Sequence, residues 1–196
     1  MSVKVDDQAL ISFFFEVGQL KREPRTGWLL LGIKHPETVA EHTSRAVIIA
    51  YTLAKLEGAD AQRAALIAAF HELPEARISD MHKMTQAYFP EKREREAAVL
   101  KDQLSLLPPE IAADLHALLD DFEHDTTPAH VVAKDADYLE CILQAKEYRD
   151  QGYAGAQNWI DNATRCLKTG SAKRLAKLIA KTRSTEWYEG LKRIKR

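Results

Sequence analysis

The chain has 196 residues, 45% hydrophobic and 29% charged, with 28 Lys+Arg against 29 Asp+Glu and a net charge of −1. That composition suits a folded globular protein of one domain and excludes an acidic disordered chain or a wholly basic nucleic-acid coat. No apolar run approaches the roughly 20 residues of a membrane span, and Met1 to Asp7, with Lys4, Asp6 and Asp7, holds no signal-peptide core, so a cytoplasmic location without a membrane partner is expected.

Apolar periodicity is helical nearly everywhere, and no Asn-Gly or Asp-Gly joins two alternating segments, so the fold class is all-α. Gln8 to Leu20 reads as a first helix with Leu10, Phe13, Phe14 and Val17 on one face. A polar stretch from Lys21 to Gly27 follows, and the short apolar run Trp28 to Ile33 is compatible with more than one conformation. Thr38-Val39-Ala40-Glu41 has the form of a capping box and opens a helix that stops near Gly58. Asp60 caps the next, Ala61 to about Glu72, which is apolar on most sides and is ended by Pro74.

Beyond it the sequence predicts a loop from Ile78 to about Pro90 and a charged helix from Glu91 to Leu107. After the Pro108-Pro109 break comes a helix from Glu110 to about Phe122. Thr127-Pro128 opens a long helix to Asp150 or Gln151, with Gly152 as its stop. A helix over Ala156 to Leu167 follows. Then comes a basic amphipathic helix opened by Ser171 with a Leu175, Leu178 and Ile179 stripe, and a short terminal helix with Trp187, Tyr188, Leu191 and Ile194 closes the chain. The helices from Ala61 and from Pro128 carry apolar residues on more than one face and should form the centre of the bundle.

Three polar features interrupt the apolar helices: His42, His71-Glu72, and Asp135-Ala136-Asp137. Buried charges are costly unless paired or bound to a metal, and two His with two carboxylates suit a borderline divalent ion. Seven histidines against two cysteines, Cys141 and Cys166, point the same way, toward a His/carboxylate site and away from a disulfide framework. On a helical wheel Asp135 shares the sector of Val131, Val132, Leu139 and Ile142, whereas Asp137 lies beside Ala133 and Glu140. Periodicity alone therefore selects Asp135 as the buried acid.

The order His, then His-acid about thirty residues on, then Asp, all on helices, resembles the HD-domain metal-dependent phosphohydrolases. Leu20-Lys21-Arg22-Glu23-Pro24-Arg25-Thr26-Gly27-Trp28 and Pro36-Glu37-Thr38-Val39-Ala40-Glu41-His42 are similar to the branch that holds the 5′-deoxynucleotidases. So are His71-Glu72-Leu73-Pro74-Glu75-Ala76 leading to Asp80, and Lys134-Asp135-Ala136-Asp137 leading to Ile142 through Tyr148. The match runs from about Phe13 to Gln151. It implies a helical HD bundle over 1–196, with a core of about 8–168 and basic C-terminal helices over 171–196. It also implies one divalent transition metal ion, Co, Mn, Zn, Ni or Fe, held by His42, His71, Glu72 and Asp137, against the wheel's choice of Asp135.

Glu75 and Asp80 become the acid/base pair, and Arg25 and Trp28 the residues that contact a small-molecule nucleotide, with Lys83 as a further cation. His35, His82, His116, His124 and His130 have no motif support and read as surface or incidental residues. A homodimer is implied, and no nucleic-acid partner is expected. The expected reaction is removal of the 5′-phosphate from 2′-deoxyribonucleoside 5′-monophosphates. The alternatives are a nucleoside triphosphohydrolase or cyclic-nucleotide phosphodiesterase on the same metal core, or a non-catalytic nucleotide-binding protein. The last draws on one departure: the family's second motif residue is normally Asp, and this chain has Glu72.

The near-zero charge is regional. Residues 171–196 hold nine Lys/Arg and two Glu, nine less two being +7, which leaves −8 on the remainder. A body of −8 draws a cation inward and repels an anionic substrate, so Arg25 and the metal must attract a phosphate locally.

Overall fold

A computed structural model describes residues 6–124, 127–189 and 191, with the backbone alone at 121, 123 and 124. The first helix, α1 (Asp7–Val17), is capped by the Asp6 carboxylate, which accepts from the amides of Gln8 and Ala9. It ends three residues before the sequence expectation, because Gly18–Lys21 tightens into a 3₁₀ turn. The expected apolar face is also narrower. Phe13 packs with Leu10 and Val17 against Leu73, Leu104 and Leu107, while Phe14 is 60% exposed.

The undecided run resolves as a 3₁₀ helix, Thr26–Leu31, closed by Gly32 in the left-handed region at φ 80°. Among the described residues the one extended pairing is an antiparallel bridge, Pro24 to Thr38. The Arg25 amide donates to Glu37 O at 3.0 Å and the Val39 amide to Glu23 O at 2.9 Å. These bonds lash the Arg25 segment to the start of the next helix.

That helix, α2 (Val39–Glu57), carries the full capping box, with Thr38 Oγ1 accepting from Glu41 N and the Glu41 carboxylate accepting from Thr38 N. Gly58, at φ 70°, stops it. Asp60 caps α3 (Ala61–Phe70), which ends two residues short of Glu72, and residues 71–74 form a turn. The predicted loop from Ile78 to Pro90 is corrected. One short helix, α4 (Glu75–Ile78), reaches into its start, and another, α5 (Lys83–Gln86), lies inside it.

The remaining helices are α6 (Lys92–Leu104), α7 (Pro109–His124), α8 (Pro128–Asp150), α9 (Gln157–Cys166) and α10 (Gly170–Ile179). Thr169, rather than Ser171, is the N-cap of α10, accepting from Ala172 N. The α10 stripe also shifts. Ala172 and Ala176 are buried with Leu175 and Ile179 beside them, and Leu178 is exposed. Within the predicted terminal helix the described residues include a 3₁₀ turn, Glu186–Tyr188. Trp187 there is 75% exposed, and Ile194 lies outside the described residues.

Helices α2, α3 and α8 pack on one another, α9 and α10 pack on α8, and α10 also touches α2. Their contact surface is rich in alanine (Ala46, Ala50, Ala64, Ala68, Ala136 and Ala145 are all buried). Small side chains let the helix axes approach closely, so charged groups placed on these faces meet across short distances. Leu53, Ile67, Leu139 and Ile142 fill the remaining volume, each contributing about 2–5 kcal/mol against truncation to alanine. Cys141 and Cys166 are both free.

Candidate metal centre and its surroundings

The packing of α2 and α3 on α8 gathers His42, in the second turn of α2, His71, which ends α3, Glu72 after it, and Asp137 in mid-α8. One nitrogen or oxygen from each lies within 4.8 Å of every other. His42 Nε2 is 3.2 Å from Asp137 Oδ1 and 3.8 Å from Glu72 Oε1, and His71 Nε2 is 3.5 Å from that same Glu72 oxygen.

The outer nitrogens fix the tautomers. His71 Nδ1 lies 2.9 Å from Ala68 O, and a carbonyl only accepts, so Nδ1 carries a proton and Nε2 is the nitrogen turned to the cluster. His42 Nδ1 meets the Glu140 carboxylate in the same way. Both Nε2 atoms are buried without a hydrogen-bond partner. Two such nitrogens facing two carboxylates make a donor set that a divalent cation satisfies.

The same carboxylates also favour a proton on His42. Burial and Arg25 push the His42 pKa down, but the Asp137 and Glu140 carboxylates prevail and raise it to about 10. Burial pushes Glu72 up, yet His71, Arg25 and His42 together hold it at about 2. Asp137 is held well below the carboxylate range, its burial outweighed by His42 first and then His71 and Arg25. The residues present therefore fit a divalent ion.

Asp135 lies elsewhere. It is as buried as the wheel requires, but its carboxylate accepts from the amides of Lys168 and Thr169 and from Thr169 Oγ1, at 2.6–3.2 Å, and so holds the entry to α10. The residue grouped with His42, His71 and Glu72 is Asp137.

Arg25 reaches into the cluster, its Nη1 2.7 Å from Glu72 Oε1 and 3.8 Å from Asp80 Oδ1. Glu75, the first residue of α4, is buried beside Glu72 and Asp80. Burial first, then those two charges, push its pKa up to about 11, so it holds a proton at neutral pH. Asp80 is pinned through Oδ2 by Thr26 N at 2.6 Å and Thr26 Oγ1 at 2.8 Å, which leaves Oδ1 toward Arg25. Ser79, just before it, adopts φ 64° and ψ 156°, a region that strains any residue but glycine.

One expectation for substrate contact changes. Trp28 is 2% exposed. Its indole N–H donates to Glu37 Oε1 at 2.9 Å, and its ring packs against Tyr148 and Trp159. It is a core side chain that braces the Arg25 segment, with no free face for a sugar. Lys83 is exposed at the start of α5, its Nζ donating to Gln86. Lys92, on the charged helix α6, feels the Glu75 and Glu72 carboxylates while paired with Glu96 at 2.7 Å.

Of the other histidines, His35 and His116 are exposed, and His82 is half-buried and caps α5 by accepting from Thr85 N. His130 is incidental to the cluster and not at the surface, being fully buried between Thr127 and Leu118 O. The His124 side chain lies outside the described residues. Glu140 and Arg45 belong to no sequence motif, and each lies three residues beyond a clustered residue on the same helix. That spacing, in an apolar context, is the signal that marks them.

A family model described as an HD domain matches residues 17–179. The 5′-deoxynucleotidase HDDC2 of Homo sapiens is 32% identical over 143 residues, which cover 73% of this chain and 70% of that protein. A 5′-deoxynucleotidase of Saccharomyces cerevisiae is 32% identical over 172 residues, 84% of this chain and 71% of that one. Among solved structures, a conserved hypothetical protein from Pyrococcus furiosus superposes with a TM-score of 0.72 at 32% identity, over 88% of this chain and 99% of that chain.

Proposed function

The chain belongs to the HD-domain family, and we propose that it is a phosphoric monoester hydrolase that removes the 5′-phosphate from 2′-deoxyribonucleoside 5′-monophosphates, in keeping with the names of its relatives. The observation that carries this reading is the His42, His71, Glu72 and Asp137 cluster with Arg25, Glu75 and Asp80 around it. These four side chains would hold one divalent transition metal ion, which when bound lowers the pKa of water and offsets charge on the phosphoryl oxygens.

The other groups serve the phosphate and its protons. Arg25, whose Nη1 already donates to one Glu72 oxygen, offers its guanidinium to the phosphoryl oxygens. Lys83 and Lys92 stand as further cations for a dianion approaching a body of −8. As water attacks phosphorus and the bond to the 5′ oxygen breaks, the leaving alkoxide needs a proton, and Glu75 holds one at neutral pH. Asp80, anchored through Oδ2, keeps Oδ1 available to accept the proton that the attacking water sheds. Trp28 supports Arg25 from the core.

The test is phosphate release from several deoxynucleotides and ribonucleotides with and without added Co²⁺ or Mn²⁺. Metal-dependent release of inorganic phosphate is expected, and none from any monophosphate overturns the reading. Triphosphate or an opened cyclic monophosphate as product would instead identify the triphosphohydrolase or phosphodiesterase chemistry. The Arg25–Glu72 ion pair favours one second reading, a nucleotide-binding protein without turnover, since Glu72 reaches the guanidinium across its extra methylene. That reading requires binding without hydrolysis and gain of activity in Glu72→Asp.

We also read the chain as a single HD domain with a basic C-terminal extension over 171–196, working as a cytoplasmic homodimer without a nucleic-acid partner. Light scattering of the purified protein tests the dimer.

A further inference from the structure

Behind His42, on the side away from the cluster, a seam of charge joins α2 to α8 that the hydrolytic roles do not use. Glu140 is fully buried, and its two oxygens go to different partners: Oε2 to His42 Nδ1, and Oε1 to Arg45, with Nε at 2.8 Å and Nη2 at 2.7 Å. Arg45 continues to Gln144 Oε1 at 2.8 Å and Glu147 Oε1 at 2.7 Å. His42 and Arg45 are three residues apart on α2. Asp137, Glu140, Gln144 and Glu147 follow at steps of three and four on α8, so each set shares one helix face.

Stability is a poor account of this seam. A buried ion pair contributes little over apolar residues packed in the same volume. Its geometry has a sharper result, because Glu140 accepts only and so keeps the His42 proton on Nδ1, leaving Nε2 to face Asp137 and Glu72. The grip of Arg45 on three successive turns of α8 sets the register of α8 against α2, and with it the 3.2 Å between His42 Nε2 and Asp137 Oδ1.

We propose that Glu140, held by Arg45, is a positioning residue that sets the metal affinity of the centre by fixing the tautomer and aim of His42. The inference rests on reading the cluster as a metal centre. A carboxylate behind a ligating imidazole raises its basicity and fixes its ring, and such outer partners carry roughly 10–100-fold in affinity.

The test is titration of chelator-treated, full-length protein with Co²⁺, following the cobalt absorption bands and the heat of binding, for the native chain, Glu140→Gln and Arg45→Gln. Far-ultraviolet circular dichroism and the melting temperature of the metal-free proteins are recorded alongside. The expectation is a dissociation constant about 10–100-fold weaker in Glu140→Gln and about 10-fold weaker in Arg45→Gln, both with native helical content. A purely packing role would move the metal-free melting temperature and leave the affinity in place. Folded Glu140→Gln that binds cobalt within threefold of the native chain overturns the proposal. If that variant does not fold, Arg45→Gln decides on the same threshold. A native chain that binds no cobalt brings down the metal reading itself, and this inference with it.

Discussion

Arg25 Nη1 lies 2.7 Å from Glu72 Oε1, the oxygen that also faces both clustered imidazoles. One carboxylate oxygen thus serves the guanidinium and the donor set at once, which the longer glutamate side chain permits. Shortening it by one methylene withdraws it from Arg25 and leaves a carboxylate oxygen for the cluster. Glu72→Asp is expected to keep bound metal and metal-dependent phosphate release. Glu72→Gln, which removes the negative charge, is expected to lose metal affinity by more than about 100-fold, beyond the effect of an outer partner. Metal analysis by emission spectrometry after purification without chelator reads both, and native metal content in Glu72→Gln would contradict the assignment.

Glu75 links activity to stability with opposite signs. Its folded pKa, pushed up to about 11, lies above the ordinary value of 4.5, so the folded state binds a proton that the unfolded chain releases. Between those two values stability must fall as pH rises, at up to about 1.4 kcal/mol per pH unit. Glu75→Gln removes that slope. The metal-free variant is expected to melt higher than the native chain at pH 8 and close to it at pH 5, while turnover drops about 10²–10⁴-fold. Parallel melting curves across pH in chelator would refute the buried-proton account.

Ser79 holds a conformation that costs about 1–3 kcal/mol outside glycine. Ser79→Gly removes that strain against an unfolded-state entropy cost of about 0.5–1 kcal/mol. The melting temperature is expected to rise by about 2–4 °C. Differential scanning calorimetry reads it, and a fall would show that Ser79 is unstrained in solution.

Two lysines separate by how firmly they are held. Lys92 is partly buried by its pairing with Glu96 and close enough to Glu72 and Glu75 to feel their charges, whereas Lys83 is exposed. Steady-state kinetics should show a several-fold higher KM for the monophosphate in Lys92→Ala, with kcat little changed, and a smaller rise in Lys83→Ala. An unchanged KM in Lys92→Ala would remove it from the substrate path.

Asp135 and Asp137 should fail in different ways. Asp135→Ala removes the acceptor of two backbone amides and a hydroxyl, costing about 2–4 kcal/mol, or roughly 5–15 °C in melting temperature, with cobalt affinity near native. Asp137→Asn should lose cobalt affinity and keep its metal-free fold. Exchange of these two phenotypes would reverse the assignment.

The helical order was legible because its punctuation is local. The capping box at Thr38 and Glu41, the Asp60 cap, Pro128 at its helix start and the glycines at 58 and 152 all act within a few residues, and each sits where the sequence expects it. Local patterning failed where partners are distant. The wheel measured the burial of Asp135 correctly but had no means of seeing that its partners are amides 33 and 34 residues away. Burial of His130 and Trp28 likewise depends on Leu118, Tyr148 and Trp159, which periodicity does not bring into view. Glu140 and Arg45 escaped because their meaning lies in a pairing across helices.

Asp135 and Asp137 leave α8 in different directions, one toward the entry to α10 and the other toward the clustered histidines. Each therefore fixes the azimuth of the other, and α8 is braced against turning about its long axis. One residue inserted between Pro128 and Asp135 would rotate the stretch before it by about 100° relative to both carboxylates, and one inserted between the two would break their mutual aim. The turns before and after α8 can absorb a change of length, but the helix itself has no slack, so deletions and insertions in this chain belong outside 128–150.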